Sequence, residues 1–176
     1  MPLHVALLEA RTPTVVGAVA RRCAAVGASL HLVGPLTFTA DDPELIAAGP
    51  DQWELLDWWL HPAWRDFRDA MSRDRCLYFA ADAERDPGDA PFRPNSVLVF
   101  GDESVGMPER IRGKYPDRLF KLPRAAARAK TLDLPHAIEA TLAFAAKRAT
   151  LNTPAIVLAG PDDVPPPKRR RHHRGG

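Results

Sequence analysis

Along this chain of 176 residues, short uninterrupted apolar runs alternate with longer stretches in which small and apolar residues recur at helical spacing. Leu3–Leu8 is an apolar run of strand length. Thr12-Pro13 then precedes a helix of small and apolar residues from about Val15 to Val26. Pro13 suits a first helical turn, where its missing N–H would have no partner anyway, and Gly27 ends the helix. Ser29–Val33 reads as a second strand, and a strand, helix and strand joined this closely imply parallel pairing. Asp41-Asp42-Pro43-Glu44 caps a brief helix reaching Ala48. After Trp53–Trp59 another helix runs from about Pro62 to Ser72. Arg75–Ala81 and Ser96–Phe100 are continuous apolar runs, Leu119–Leu122 is a shorter one, and Pro135–Arg148 is a long helix. Strands apolar at nearly every position have both faces covered. The pattern therefore predicts an α/β domain with a mostly parallel sheet flanked by helices.

Composition narrows the class. With 45% apolar and 26% charged residues, the chain can bury a core the size of one domain. Cys23 and Cys76 are too few for a disulfide framework and stand in no CxxC or Cys/His cluster. This argues for a reducing, cytoplasmic setting and against a metal site. Met1-Pro2-Leu3-His4-Val5 lacks the basic then apolar order of a signal peptide, and no run approaches the roughly twenty apolar residues of a membrane span. The domain is expected to occupy residues 1–160. The Pro/Arg-rich segment 161–176 has nothing to bury and is expected to be disordered.

Charge is uneven. The formal charge is +2, but residues 161–176 carry +3, which leaves the body at −1. That tail either adds non-specific affinity for RNA or only solubilises the chain end. Between Arg110 and Lys130 stand eight basic residues and a single acid, Asp117. A polyanion would feel that excess. A solvated surface face is the bland alternative, but the position of the cluster beside the candidate ligand loops Gly101–Pro108 and Leu122–Ala137 favours phosphate contact.

Two segments carry the candidate chemistry. Val97-Leu98-Val99-Phe100-Gly101-Asp102-Glu103-Ser104-Val105-Gly106-Met107-Pro108 passes from strand to glycine turn. Leu122-Pro123, a basic loop, and Thr131-Leu132-Asp133-Leu134-Pro135-His136-Ala137 then open the last long helix. Each leaves backbone N–H and C=O groups free to hold a small ligand, which suggests a cofactor site made of loops. There is no GxGxxG after the first strand, no GxxxxGK[ST] and no GxSxG, so hydride transfer, nucleotide hydrolysis and serine hydrolysis lack support.

These residues also carry a family resemblance. Ala10-Arg11-Thr12-Pro13, Gly17-Ala18-Val19-Ala20-Arg21-Arg22-Cys23, Gly27, Leu30-His31-Leu32-Val33, Pro35, Phe38, Asp41-Asp42 and Ala48-Gly49 resemble the first motif region of the SPOUT, or trefoil-knotted, RNA methyltransferases. Gly101–Pro108 and Leu122–Ala137 resemble the second and third motifs in order and spacing. With no added RNA-binding domain, the chain is most similar to the minimal tRNA (cytidine/uridine-34) 2′-O-methyltransferases. The resemblance implies a C-terminal trefoil knot, bound S-adenosylmethionine, a tRNA substrate and a homodimer.

It also implies the site. Phe79, Ala80, Gly101, Glu103, Gly106, Leu122, Thr131, Leu132 and Ala137 would surround the cofactor, with glycines admitting the ligand closely and apolar residues sandwiching adenine. Taken without the resemblance, Gly101 and Gly106 are ordinary turn glycines and Leu122 and Leu132 plain core. Arg21 takes the motif-one arginine position. With a pKa above about 12 its guanidinium is a poor general base, so orientation and charge stabilisation come first. Arg11, Arg22, Arg124, Arg128 and Lys130 are the candidate RNA contacts.

The motifs depart from the family pattern in several places. Val15 and Ala18 replace asparagines, Val105 replaces an arginine, Thr131 replaces a serine, and Asp133, Pro135 and His136 replace asparagine, serine and asparagine. Two readings follow: Asp133 takes the proton in a changed constellation, or the fold persists as a catalytically inactive RNA-binding or interaction module. His4 and His31 read as packed residues rather than ligands. The tryptophans Trp53, Trp58, Trp59 and Trp64 read as core or subunit interface in preference to base-stacking platforms.

Overall fold

The computed structural model describes residues 2–124 and 133–152, with side chains described as far as residue 150. Six parallel strands form one sheet in the order β3-β2-β1-β5-β4-β6. They are β1 (His4–Leu8), β2 (Ser29–Val33), β3 (Trp58–His61), β4 (Cys76–Phe79), β5 (Val97–Phe100) and β6 (Leu119–Phe120). β1 lies in the interior of the sheet, pairing Leu7 with Leu32 of β2 on one side and with Phe100 of β5 on the other.

The strand alternation sorts side chains into two buried layers. Val5, Leu7, Leu30, Leu32, Leu77, Phe79, Leu98 and Phe100 face one layer, together with α1 (Pro13–Val26), α2 (Pro43–Ala48) and α5 (Leu134–Asn152). Ala6, Leu8, Val33, Cys76, Tyr78, Val97 and Val99 face the other, against α3 (Trp64–Ala70) and α4 (Glu109–Arg112). Both faces are covered, so the strands carry apolar residues at almost every position, as the sequence predicts.

α1 starts at Pro13 and closes at Gly27, which is left-handed at φ 70°. Within it, Gly17 permits α2 to pack at backbone distance. A Cβ there would lie 2.6 Å from the Leu45 carbonyl oxygen and 2.7 Å from the Ala48 Cβ. Close packing thus offsets the roughly 1 kcal/mol that a mid-helix glycine costs relative to alanine.

The sequence pattern gave no strand to Trp58–His61, yet this segment is the edge strand β3, with Leu32 of β2 opposite Leu60. One-turn helix α4 was also not expected from the basic stretch that contains it. The tryptophans pack inward: Trp58 and Trp59 are buried, and Trp53 and Trp64 lie against the two cores. His4 and His31 are packed as expected, but as members of a chain of three. His4 Nδ1 lies 2.9 Å from His31 Nε2, and His31 Nδ1 lies 2.9 Å from His61 Nε2. Burial pushes His4 and His61 down to about 4, and pushes His31 well below the usual imidazole range. Residues 125–132 of the third motif region, and the tail 161–176, lie outside the described residues.

Candidate active site

The candidate site lies at the carboxyl ends of β4 and β5, where open parallel sheets place their ligands. A cleft of about 260 Å³ opens there. Phe79, Phe100, Met107, Leu122 and Leu134 supply its apolar wall, and Asp82 and Arg112 stand at its polar side. Arg112 holds the Asp82 carboxylate through Nη1 at 2.9 and 3.0 Å, and that hydrogen-bonded pairing depresses the Asp82 pKa.

The turn after β5 shapes the cleft. Gly106 adopts φ 79°, and its N–H donates to the Asp102 carbonyl at 2.8 Å. A Cβ on Gly101 would sit 2.3 Å from Gly106 C and Met107 N, so only glycine lets the turn fold back on the strand end. The turn is held on both sides by adjacent carboxylates. Asp102 accepts from the backbone N–H of Arg11 at 2.9 Å, from the Ser104 N–H at 3.0 Å and hydroxyl at 2.6 Å, and from the Val105 N–H at 3.3 Å. Burial alone would raise the Asp102 carboxyl, but these donors outweigh it and hold it below the usual range. Glu103 reaches the other way and accepts from the Leu134 N–H at 3.0 Å, satisfying an otherwise free donor at the start of α5.

Of the residues named from sequence, Phe79, Ala80, Gly101, Gly106 and Leu122 are brought together in the cleft wall. Glu103 and Ala137 stand outside the described wall, the first joining the turn to α5 and the second fully buried within the first turn of that helix. Thr131, Leu132, Arg128 and Lys130 lie outside the described residues, and Arg124 is exposed at their edge. Arg21 is exposed on α1 and donates through Nη2 to the Gly49 carbonyl at 3.1 Å. Arg22 meets Glu139 at 3.3 Å and donates to the Ala18 carbonyl at 3.1 Å. Asp133 caps α5, its Oδ1 accepting from the His136 N–H at 3.1 Å.

Sequence reasoning missed Asp82, Asp102, Arg112 and Leu134 as site residues. Asp102 stood inside the quoted motif, but its partner Arg11 is 91 positions away, so no local pattern reveals the contact. The basic excess after residue 110 is also partly spoken for. Arg110 pairs with Glu9, Arg112 with Asp82, and Arg118 donates to the carbonyls of Cys76 and Asp74 at 2.8 Å.

A parallel α/β domain with a glycine-turn cleft at its strand ends, its wall completed by Leu122 and Leu134, defines a ligand-binding α/β protein. The chain belongs to the SpoU rRNA Methylase family, which matches residues 2–139. It is 33% identical over 157 residues to a tRNA (cytidine(34)-2'-O)-methyltransferase of Acidovorax sp., covering 86% of this chain and 94% of that protein. A solved structure described as giving insights into the 2-OH methylation of C/U34 on tRNA is 34% identical with a TM-score of 0.67, covering 85% of this chain and 89% of that one. An AdoMet-bound rRNA methyltransferase from Sinorhizobium meliloti is 25% identical with a TM-score of 0.62, over 84% of this chain and 56% of that one.

Proposed function

We propose that the protein is an S-adenosylmethionine-dependent tRNA ribose 2′-O-methyltransferase acting at the wobble position, 34. The observation that carries this reading is the cleft at the ends of β4 and β5 in a chain that aligns with 94% of the length of a tRNA (cytidine(34)-2'-O)-methyltransferase. Its residues suit the cofactor: Phe79, Phe100 and Leu122 offer apolar surface to a purine, and Gly101 lets the turn after β5 fold closely on the strand end that shapes the cleft.

The cofactor supplies an electrophilic methyl on a sulfonium; the protein must orient a ribose hydroxyl in line with it and accept one proton. Arg21 holds and neutralises the phosphate beside the reacting ribose. Its anchor on Gly49 keeps the long side chain from sampling many rotamers. Asp133 accepts the hydroxyl proton; its cap to α5 uses Oδ1, and its neighbour Leu134 lies in the cleft wall. Arg11, Arg22, Arg124, Arg128 and Lys130 contact the RNA backbone, with Arg22 exchanging Glu139 for phosphate.

Residues 1–160 act as the methyltransferase unit, in the cytoplasm and as a homodimer. The family resemblance supports the dimer, and two free, buried cysteines support a reducing compartment. The competing reading, a catalytically inactive RNA-binding module, is favoured by one observation: Val105, where the family has arginine, presents an exposed apolar side chain on the cofactor turn. Calorimetric titration with S-adenosylmethionine tests the proposal. One saturable site per chain is expected, and no heat at millimolar cofactor would remove the enzyme reading.

A further inference from the structure

We propose that Asp102 is a positioning residue that couples occupancy of the cleft to the loop carrying Arg11, so that cofactor and RNA bind cooperatively. The inference rests on the methyltransferase reading and goes beyond it, because it assigns one side chain the task of linking the two substrates.

The carboxylate is 6% exposed and its two oxygens serve different loops. Among the described residues, Oδ1 accepts from the Arg11 backbone N–H, in the connection between β1 and α1. Oδ2 accepts from the N–H and hydroxyl of Ser104 and from the Val105 N–H, in the turn after β5. Ser104 and Val105 line the cleft, so a ligand seated there rests on the groups that orient this carboxylate. A carboxylate is a rigid plane, and rotating one oxygen to follow Ser104 carries the other with it. Since Arg11 is held by its backbone, its exposed guanidinium is left for phosphate.

A second tie runs beside the first. Glu9 holds φ 51°, a left-handed conformation that costs a non-glycine residue energy, and its carboxylate pairs with Arg110 of α4, just past the same turn. The β1–α1 loop is thus drawn toward the cofactor turn at residues 9 and 11. Of these ties, only the one through Asp102 reaches groups that line the cleft.

Asp102→Asn cuts this link selectively. An amide has one acceptor oxygen, and three donors at Ser104 and Val105 outcompete the single Arg11 N–H for it. The NH₂ then faces the Arg11 N–H, donor against donor. Affinity of bulk tRNA is measured with and without saturating S-adenosylhomocysteine. In the wild type the ligand tightens tRNA binding by about fivefold or more, within the usual range of coupling between sites. In Asp102→Asn the ratio falls to about one, with each titration run at S-adenosylhomocysteine that saturates the variant. Ser104→Ala, which removes the hydroxyl bond to Oδ2 but leaves both backbone N–H bonds and the Arg11 link, lowers the ratio only in part. By the same reciprocity saturating tRNA tightens S-adenosylhomocysteine by about the same factor in the wild type and not in Asp102→Asn, a paired loss that general loss of stability does not produce. The wild type gives an independent readout: exchange of the Arg11 amide hydrogen slows when S-adenosylhomocysteine is added. A wild-type ratio retained in Asp102→Asn, or an Arg11 amide indifferent to the ligand, would overturn the coupling while leaving the methyltransferase reading intact. Failure of the wild type to bind S-adenosylhomocysteine or tRNA would overturn both.

Discussion

Glu103 accepts a hydrogen bond from the backbone N–H of Leu134 at 3.0 Å, so the second motif caps the helix that begins in the third. The contact fastens the cleft's glycine turn to the first turn of α5. A carboxylate there also meets the positive end of the helix dipole. Glu103→Ala is expected to lower stability by about 1 kcal/mol, the usual worth of a helix cap, and to weaken cofactor binding with it. Glu103→Gln, which keeps an acceptor but loses the charge, should fall between. Thermal unfolding and calorimetric titration of the same samples check both effects.

Gly101→Ala must push the turn open, because the added carbon would lie 2.3 Å from backbone atoms of Gly106 and Met107. Backbone cannot step aside as a flexible side chain can. A destabilisation of about 1–3 kcal/mol is expected from the overpacking, together with loss of measurable S-adenosylmethionine binding. Wild-type affinity in this variant would show that the cofactor does not use the turn.

Asp133→Asn separates structure from chemistry at one position. Asparagine caps a helix as well as aspartate does, so stability should change by no more than a few tenths of a kcal/mol. Single-turnover methyl transfer should nevertheless fall by about 10²-fold or more, as when a general base is removed. If transfer is unaltered, Asp133 is only the cap of α5.

The three hydrogen-bonded histidines make stability depend on pH. Each N···N contact needs one N–H and one lone pair, so the neutral chain is satisfied with all protons pointing one way. Burial holds His4 and His61 near 4 and His31 well below its ordinary value, whereas the unfolded chain takes up protons near 6.5. The folded state therefore binds fewer protons. Its stability is full above about 6.5 and declines as pH falls from there toward about 4, by up to roughly 1.4 kcal/mol per pH unit for each histidine. Urea unfolding at pH 7.5, 6 and 5 should show this fall, and proton uptake on unfolding should be largest between pH 6 and 5.

Much of the fold was legible because parallel strands buried on both faces announce themselves as apolar runs. β1, β2, β4 and β5 were each placed to within about two residues of their bounds. β3 escaped because Trp58-Trp59-Leu60-His61, although bounded by Asp57 and Pro62, is only four residues long and follows a stretch already rich in tryptophan and leucine. Its assignment depends on pairing with β2, a tertiary fact. The same register brings His61 beside His31, so the histidine chain was equally invisible in sequence. At the site, glycines and apolar residues of the motifs were readable as local chemistry. The partners of Asp102 and Arg112 were not, because hydrogen bonds between distant loops leave no spacing behind. The count of basic residues after 110 overstated what is available to RNA for the same reason, since Glu9 and Asp82 neutralise two of them from other elements.

Transfer of a labelled methyl group from S-adenosylmethionine to tRNA, followed by mapping of the modified nucleoside, tests the central claim most directly. The account predicts a 2′-O-methylated ribose at position 34, with incorporation reduced more than tenfold in Arg21→Ala while cofactor affinity is kept, because Arg21 stands outside the described cleft wall. Cofactor bound at full occupancy with no label entering tRNA would contradict it, and would leave the protein an inactive member of its family.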